Sequence, residues 1–301
     1  MTGTQIREIH EDELERWVAV TNLAFAKPGT VAEFLDWKRQ ARETIWLLAG
    51  DVGGAVGVGG WHEPPGVARV ELGVVPAARG NGVGSSLLAG LGSWARALGY
   101  GELLCEVQEA DTASLDWAKR RGFVEVARHP RLELDLAGVA MPEVAPPDGI
   151  EIVTWAERPE LARGIYVVAC EAYADVPDGE EEVMPSFEEW LSMDMQGAGD
   201  RPEGTFVALA GDEVVGYAKF HFSGSRPDTA SHDMTGVLRA WRRRGIAGAL
   251  KRAEIAWAKE NGYARLVTGN EERNEPIRKL NAQYGYELEP GTVTVRGLAT
   301  P

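Results

Sequence analysis

The chain of 301 residues is 44% apolar and 26% charged, an ordinary globular composition with room for one or two domains that each bury a core. Its formal net charge of −15 argues against nucleic acid or an anionic membrane as the main partner, and admits a cationic small molecule such as an amine. No apolar run approaches the roughly 20 residues that cross a bilayer, Met1–His10 lacks the features of a signal peptide, and Cys105 and Cys170 supply neither a disulfide framework nor metal-ligand spacing. Cytoplasmic residence without a bound metal is the expectation.

In chain order, a short strand is predicted over Gln5–Ile9, then amphipathic helices over Glu11–Ala24 and Val31–Ala41. Ile45–Asp51 and Ala55–Trp61 are apolar runs on either side of a Gly-Asp turn and read as a hairpin. A strand over Ala68–Val75 leads into a glycine-rich turn, a helix over Gly84–Leu98, a strand over Glu102–Val107 and a last helix ending at Gly122-Phe123. The stretch 138–149 carries three prolines and two glycines, which disfavour helix and strand interiors alike. It predicts domains at 1–140 and 150–301, with 141–149 as linker.

The same order then repeats: a strand at Ile150–Thr154, helices at Pro159–Tyr173 and Ser186–Met195, a hairpin over 205–220, a strand at Ser231–Leu238, a helix at Ala247–Glu260 and a strand at Ala264–Thr268. A constant offset of 163 relates the halves without a gap over about 45 residues. It carries Arg79 onto Arg242, Gly82 onto Gly245, Leu87 onto Leu250, Trp94-Ala95 onto Trp257-Ala258 and Gly122-Phe123 onto Gly285-Tyr286. Strands alternating with helices in this order predict an α/β fold in which each half has one central sheet flanked by helices.

Each turn joins a strand to the start of a helix, where unpaired N–H groups and the helix dipole attract an anion. In the first half the candidate ligand-binding residues are Val74, Val75, Arg79, Gly80, Asn81, Gly82, Val83, Gly84 and Ser85. In the second they are Val237, Arg242, Arg243, Arg244, Gly245, Ile246, Ala247 and Gly248. Neither turn has the Gly-x-x-x-x-Gly-Lys-Ser/Thr of a P-loop, and the first only approaches the Gly-x-Gly-x-x-Gly of a dinucleotide site. Both share Arg-x-x-Gly-x-(Gly/Ala).

That shared pattern, with Val74-Val75-Pro76 before the first copy and Gly-aromatic at a fixed distance after both, resembles motif A of the GCN5-related N-acetyltransferase (GNAT) superfamily. The resemblance covers nearly the whole chain, twice, and is similar to the tandem actinobacterial arrangement of the group that includes mycothiol synthase. It implies two acyl-CoA N-acyltransferase domains, each a mixed sheet flanked by helices, with acetyl-CoA as acyl donor and its pyrophosphate at the glycine-rich turn. It implies direct attack by a small-molecule amine in a ternary complex, with the thioester carbonyl polarised by a backbone N–H near Val74–Val75 or Gly236–Val237. The family asparagine that meets the pantetheine amides corresponds to Asn274, for which helix capping is the competing role.

The sequence departs from the family where a tyrosine ordinarily protonates the leaving thiolate, since Ala118 and Asn281 stand there. Tyr284 lies three residues beyond Asn281, and packing is its expected role. For the base that accepts the ammonium proton, Glu106 of the first half has the spacing of a glutamate in the ribosomal-protein N-acetyltransferases. Its alternative is a strand-end carboxylate paired with an arginine. In the second half, where Gly269 takes that place, His232 and Asp233 are the candidates. Eight carboxylates between Asp175 and Asp194, with no lysine or arginine, form either an acidic rim for a cationic acceptor or a solvated face. Three readings stay open: an acetyltransferase, a catalytically silent CoA-binding pair, and a pair in which one half catalyses.

Overall fold

The computed structural model describes residues 5–25, 28–60, 64–175, 184–269 and 275–300. The described residues fall into two compact units, one of residues 1–129 and 290–301, the other of 130–289. These units differ from the contiguous domains expected at 1–140 and 150–301. Each takes its last strand from the chain end of the other half.

The first unit holds β1 (Ile6–Glu8), α1 (Leu14–Thr21), α2 (Val31–Gln40), β2 (Glu43–Ala49), β3 (Gly53–Gly59), β4 (Val67–Val74), α3 (Val83–Ala97), β5 (Glu102–Gln108) and α4 (Thr112–Lys119). After it, β6 (Val124–Asp135) runs on into the second unit, which continues with β7 (Glu151–Thr154), α5 (Ala162–Tyr173), α6 (Phe187–Asp194), β8 (Thr205–Ala210), β9 (Glu213–Phe222), β10 (Thr229–Val237), α7 (Ile246–Glu260), β11 (Arg265–Gly269) and α8 (Glu275–Gln283). Most of β12 (Glu287–Leu298) returns to the first unit. Among the described residues no helix is long and apolar enough to cross a membrane.

The first unit's sheet has the order β1-β2-β3-β4-β5-β12. Its neighbours are antiparallel except β4 and β5, which run parallel and pair only from Val67–Glu102 to Arg69–Leu104. Beyond that register the two strands part. Period-two alternation sends Val70, Leu103, Val293 and Val295 into a core with Leu87 and Leu91 of α3. Trp46, Leu48, Val56 and Val58 face the other way, against Trp17 of α1 and Phe34 of α2. Thr30 and Glu33 form a reciprocal cap that starts α2.

The second unit repeats the plan as β6-β11-β10-β9-β8-β7, with β10 and β11 parallel over Thr229–Arg265 to Ser231–Val267. β11 pairs on its other side with Arg131–Asp135 of β6. Its two cores lie under α7, around Ile246, Leu250 and Phe220, and under α5, around Ile165, Val168 and Trp190.

Candidate active site

Where β4 and β5 part, the first unit contains a cavity of about 640 Å³. One wall is the glycine-rich turn. Gly80 and Gly82 have φ of +82° and +83°, the left-handed region that favours glycine, and a Cβ on either would meet nothing within 4 Å. Gly82 is the N-cap of the 15-residue helix α3. The N–H groups of Val83, Gly84 and Ser85 belong to its first turn and have no partner inside the helix. Arg79, Gly80, Gly82, Val83, Gly84 and Ser85 all line the cavity. Asn81 instead turns its amide back on the carbonyls of Ala78 and Arg79, at 3.3 and 3.4 Å. Arg79 donates from Nε to the Val74 carbonyl at 3.1 Å, and its Nη1 lies 3.8 Å from Asp111.

The two backbone donors expected on β4 differ. Val75 donates its N–H to the Val52 carbonyl at 2.8 Å, so it is not available to a ligand. Alternation along an antiparallel ladder then turns the N–H of Val74 away from β3 and toward β5, whose pairing with β4 has already ended. Val74 lines the cavity; Val75 does not.

Glu71, Glu106, Gln108 and Phe25 also line the cavity. Glu106 accepts a hydrogen bond from Arg69 Nη1 at 3.3 Å, with the two side chains 32% and 27% exposed. It is therefore a carboxylate paired with an arginine that also lines the cavity. Cys105, its neighbour in sequence, also lines the cavity. Burial, reinforced by the charges of Glu71 and Glu106, pushes its thiol up to about 12. Ala118, at the family's tyrosine position, is buried in the core.

The corresponding turn of the second unit has closer neighbours among the described residues. Pro147 of the stretch between the repeats stands 3.5 Å from where a Cβ on Gly245 would be. Arg252 donates to the Ala145 carbonyl at 2.9 Å and to Tyr284 Oη at 3.2 Å, and Tyr284 donates to the Gly248 carbonyl at 3.2 Å. Arg243 occupies the place of Gly80 with φ +60°, a conformation that costs a non-glycine residue about 1–2 kcal/mol. Arg242 bonds Val237 as Arg79 bonds Val74, but its guanidinium is also paired with Asp175 at 2.6 Å. Arg244 stacks on Trp241, 4.7 Å from the ring centroid, and donates to the Ala240 carbonyl. Ile246 and Val237 are buried, and Ala247 packs against the core.

The second half's candidate base is engaged elsewhere. Lys219, with a side chain 2% exposed, reaches Asp233 at 2.9 Å, Asp200 at 2.9 Å and Asp194 at 3.5 Å. Burial opposes the ammonium charge, but the three carboxylates outweigh it and raise the Lys219 pKa. Burial also lifts Asp194 to about 6, with Lys219 opposing the rise. His232 is buried between Tyr286 Oη at 2.5 Å and Glu254 at 3.0 Å, and burial lowers its pKa. Asp233 and His232 thus sit in internal networks.

The acidic stretch resolves likewise among its described members. Asp175 pairs with Arg239 and Arg242, Glu188 with Arg163, and Glu189 caps α6 through Ser186. Asp178, Glu180, Glu181 and Glu182 lie outside the described residues, as do Asn270 and Asn274. Tyr284 packs, as expected.

Sequence reasoning missed Trp117, Arg120 and Arg121, which line the first unit's cavity from α4 and the residues after it. Leu88 and Phe123 line it too, while their counterparts at the offset of 163 are Lys251 and Tyr286. That replacement of apolar cavity wall by buried polar groups was legible in the repeat and marks the halves as different.

The model of the acetyltransferase (GNAT) family matches residues 5–123 and 163–286. No curated protein sequence matches the chain. Among solved structures, a tandem GNAT protein from the clavulanic acid biosynthesis pathway is similar at 22% identity and TM-score 0.76, over 99% of both chains. A GCN5-related N-acetyltransferase from Sphaerobacter thermophilus is similar at 22% identity and TM-score 0.71, over 99% of this chain and 96% of that one. A glucosamine N-acetyltransferase region of a fungal multi-domain β-N-acetylglucosaminidase shares 16% identity at TM-score 0.67, over 97% of this chain and 38% of that one. At these identities the likeness is one of fold.

Proposed function

The chain belongs to the acetyltransferase (GNAT) family, and on that footing we propose that its first half moves an acetyl group from acetyl-CoA to the amine of a small molecule, by direct attack in a ternary complex. The observation that carries this reading is the cavity at the β4–β5 divergence, which brings the glycine-rich turn and Glu106 to walls of one space. The turn suits the donor: Gly80 and Gly82 present bare backbone, α3 offers its unpaired first-turn N–H groups, and Arg79 and Arg121 add positive charge.

Bound acetyl-CoA supplies an activated thioester. In this reading the Val74 N–H donates to its carbonyl as negative charge develops. Glu106 holds the acceptor ammonium by charge and accepts its proton, directly or through water. Arg69 orients the Glu106 carboxylate. The Cys105 thiol, pushed up to about 12, stays protonated at neutral pH, which favours direct attack over an acyl-cysteine route. With Ala118 at the tyrosine position, the thiolate leaves without a phenol donor.

A silent CoA-binding pair is the second reading, and the loss of both tyrosines favours it. Calorimetric titration with acetyl-CoA, in parallel with Gly82→Trp and Gly245→Trp, tests the cofactor assignment. The expected stoichiometry is near one, abolished by Gly82→Trp and kept by Gly245→Trp, with thermal melts showing that both variants fold. Absence of binding to the parent protein sinks the proposal. Thiol release across a panel of small amines separates the two readings, because a silent binder releases none.

A further inference from the structure

Lys219 of β9 is a buried ammonium held by three carboxylates from different parts of the second unit. Asp194 ends α6, Asp200 lies in the segment that follows, and Asp233 belongs to β10. The β9–β10 ladder pairs His232 with Phe220 and Met234 with Lys219, so Asp233 is the extra residue of a β-bulge. A bulge re-aims a side chain, and this one brings Asp233 to 2.9 Å from Lys219 Nζ. One ammonium among three carboxylates leaves the cluster with surplus negative charge. The cluster also has an inner and an outer side. The side chains of Lys219 and Asp200 are 2% and 8% exposed, whereas those of Asp194 and Asp233 are 23% and 39% exposed.

A second observation points to the same place. Tyr217 stands two residues before Lys219 on β9 and shares its face of the sheet. Tyr217 is fully buried, and its hydroxyl has no hydrogen-bond partner. Buried hydroxyls are ordinarily paired. Burial raises its pKa, and so do the charges of Asp194 and Asp233, the two partly exposed carboxylates, beside which the hydroxyl therefore lies. Tyr173 Oη, by contrast, reaches both oxygens of Asp194 at 3.3 Å. The arrangement belongs to the second half alone: the offset of 163 places Val56, 1% exposed in an apolar core, where Lys219 stands.

We infer that Asp194, Asp233 and Tyr217 form a second binding site, in the half to which no transfer is assigned, for a ligand bearing a primary ammonium. Its three N–H groups meet three acceptors: a carboxylate oxygen of Asp194, one of Asp233 and the Tyr217 hydroxyl oxygen. The ligand's charge balances the surplus that Lys219 leaves. Acetyl-CoA has no part in this site, so it stands or falls apart from the cofactor reading above.

The test follows the tyrosine ring resonances of the full chain, isotopically labelled at Cζ, during titration with methylammonium chloride at neutral pH and constant ionic strength. Tyr217→Phe identifies the signal. A saturable shift is expected with methylammonium. None is expected with tetramethylammonium, which has the charge but no N–H, or with sodium or calcium chloride. Loss of a charge-assisted hydrogen bond in Asp233→Asn raises the Kd for methylammonium about tenfold or more. Asp51→Asn makes the same change in net charge at an exposed carboxylate of the first unit and leaves the Kd unchanged. Thermal melts establish that Asp233→Asn folds, and the comparison of cations on the parent protein decides the matter without it. No saturable shift on the parent, an equal shift with tetramethylammonium, or a shift with calcium alone overturns the inference, as does an unchanged Kd in a folded Asp233→Asn.

Discussion

Glu106 lies 3.3 Å from Arg69, and that neighbour defines what substitution there does. Glu106→Gln keeps the shape and one hydrogen-bond acceptor but cannot take a proton. Loss of a general base lowers kcat by about 10²–10⁴, while the Kd for acetyl-CoA, held in this reading by the glycine-rich turn, stays unchanged. Thiol release and calorimetry on the same variant check the split. A kcat within a factor of two of the parent would reduce Glu106 to a paired structural carboxylate. Glu106 was found from its spacing, and its partner was not, because Arg69 meets it only through the parallel register that sets Arg69 opposite Leu104.

At the scale of elements, α3 and α7 begin at the same kind of turn, yet their surroundings separate them. A Cβ added at Gly82 would meet nothing within 4 Å, while one added at Gly245 would touch Pro147. The cations of the second turn are also tied to α5, since Asp175, just past its end, binds both Arg239 and Arg242. Those hydrogen bonds, Arg239 foremost, hold the Asp175 carboxyl down to about 2. An unfolded aspartate titrates near 3.9. The pair therefore stabilises the fold fully above about pH 4, and its contribution disappears as the pH falls through about 2. With Arg239 56% exposed, solvent screening limits the effect to about 1 kcal/mol or less. Denaturant midpoints for Asp175→Asn are expected to lie below the parent at pH 7 and to converge on it near pH 2. A constant gap at every pH would mean that packing, not charge, is what Asp175 supplies. Arg242 looked like a phosphate ligand in sequence, because its carboxylate partner, Asp175, lies just past the end of a helix more than 60 residues earlier.

At the scale of the molecule, the exchange of last strands decides how the chain can be divided. β12 pairs with β5 from Glu102–Leu298 to Gln108–Thr292, and it places Val293 and Val295 in the first unit's core. Those two side chains are nearly fully buried, each worth about 1.5–3 kcal/mol in apolar burial alone. A fragment ending at residue 140 is expected to lack a cooperative thermal transition by circular dichroism. Residues 1–129 joined through a flexible linker to 290–301 are expected to regain one. Cooperative melting of the 1–140 fragment would show that β12 is dispensable.

The repeat, the α/β order, the two glycine-rich turns and the place of Glu106 were all determined by sequence, because hydrophobic period, glycine φ and residue spacing are local properties. Tertiary structure alone decided which turn lines a cavity among the described residues, which carboxylates are paired with ammonium or guanidinium partners, and which chain end completes each sheet. Those outcomes depend on contacts between residues far apart in the chain. The Pro147 contact with Gly245, the Lys219 cluster and the β5–β12 register each arise only once the chain has closed on itself.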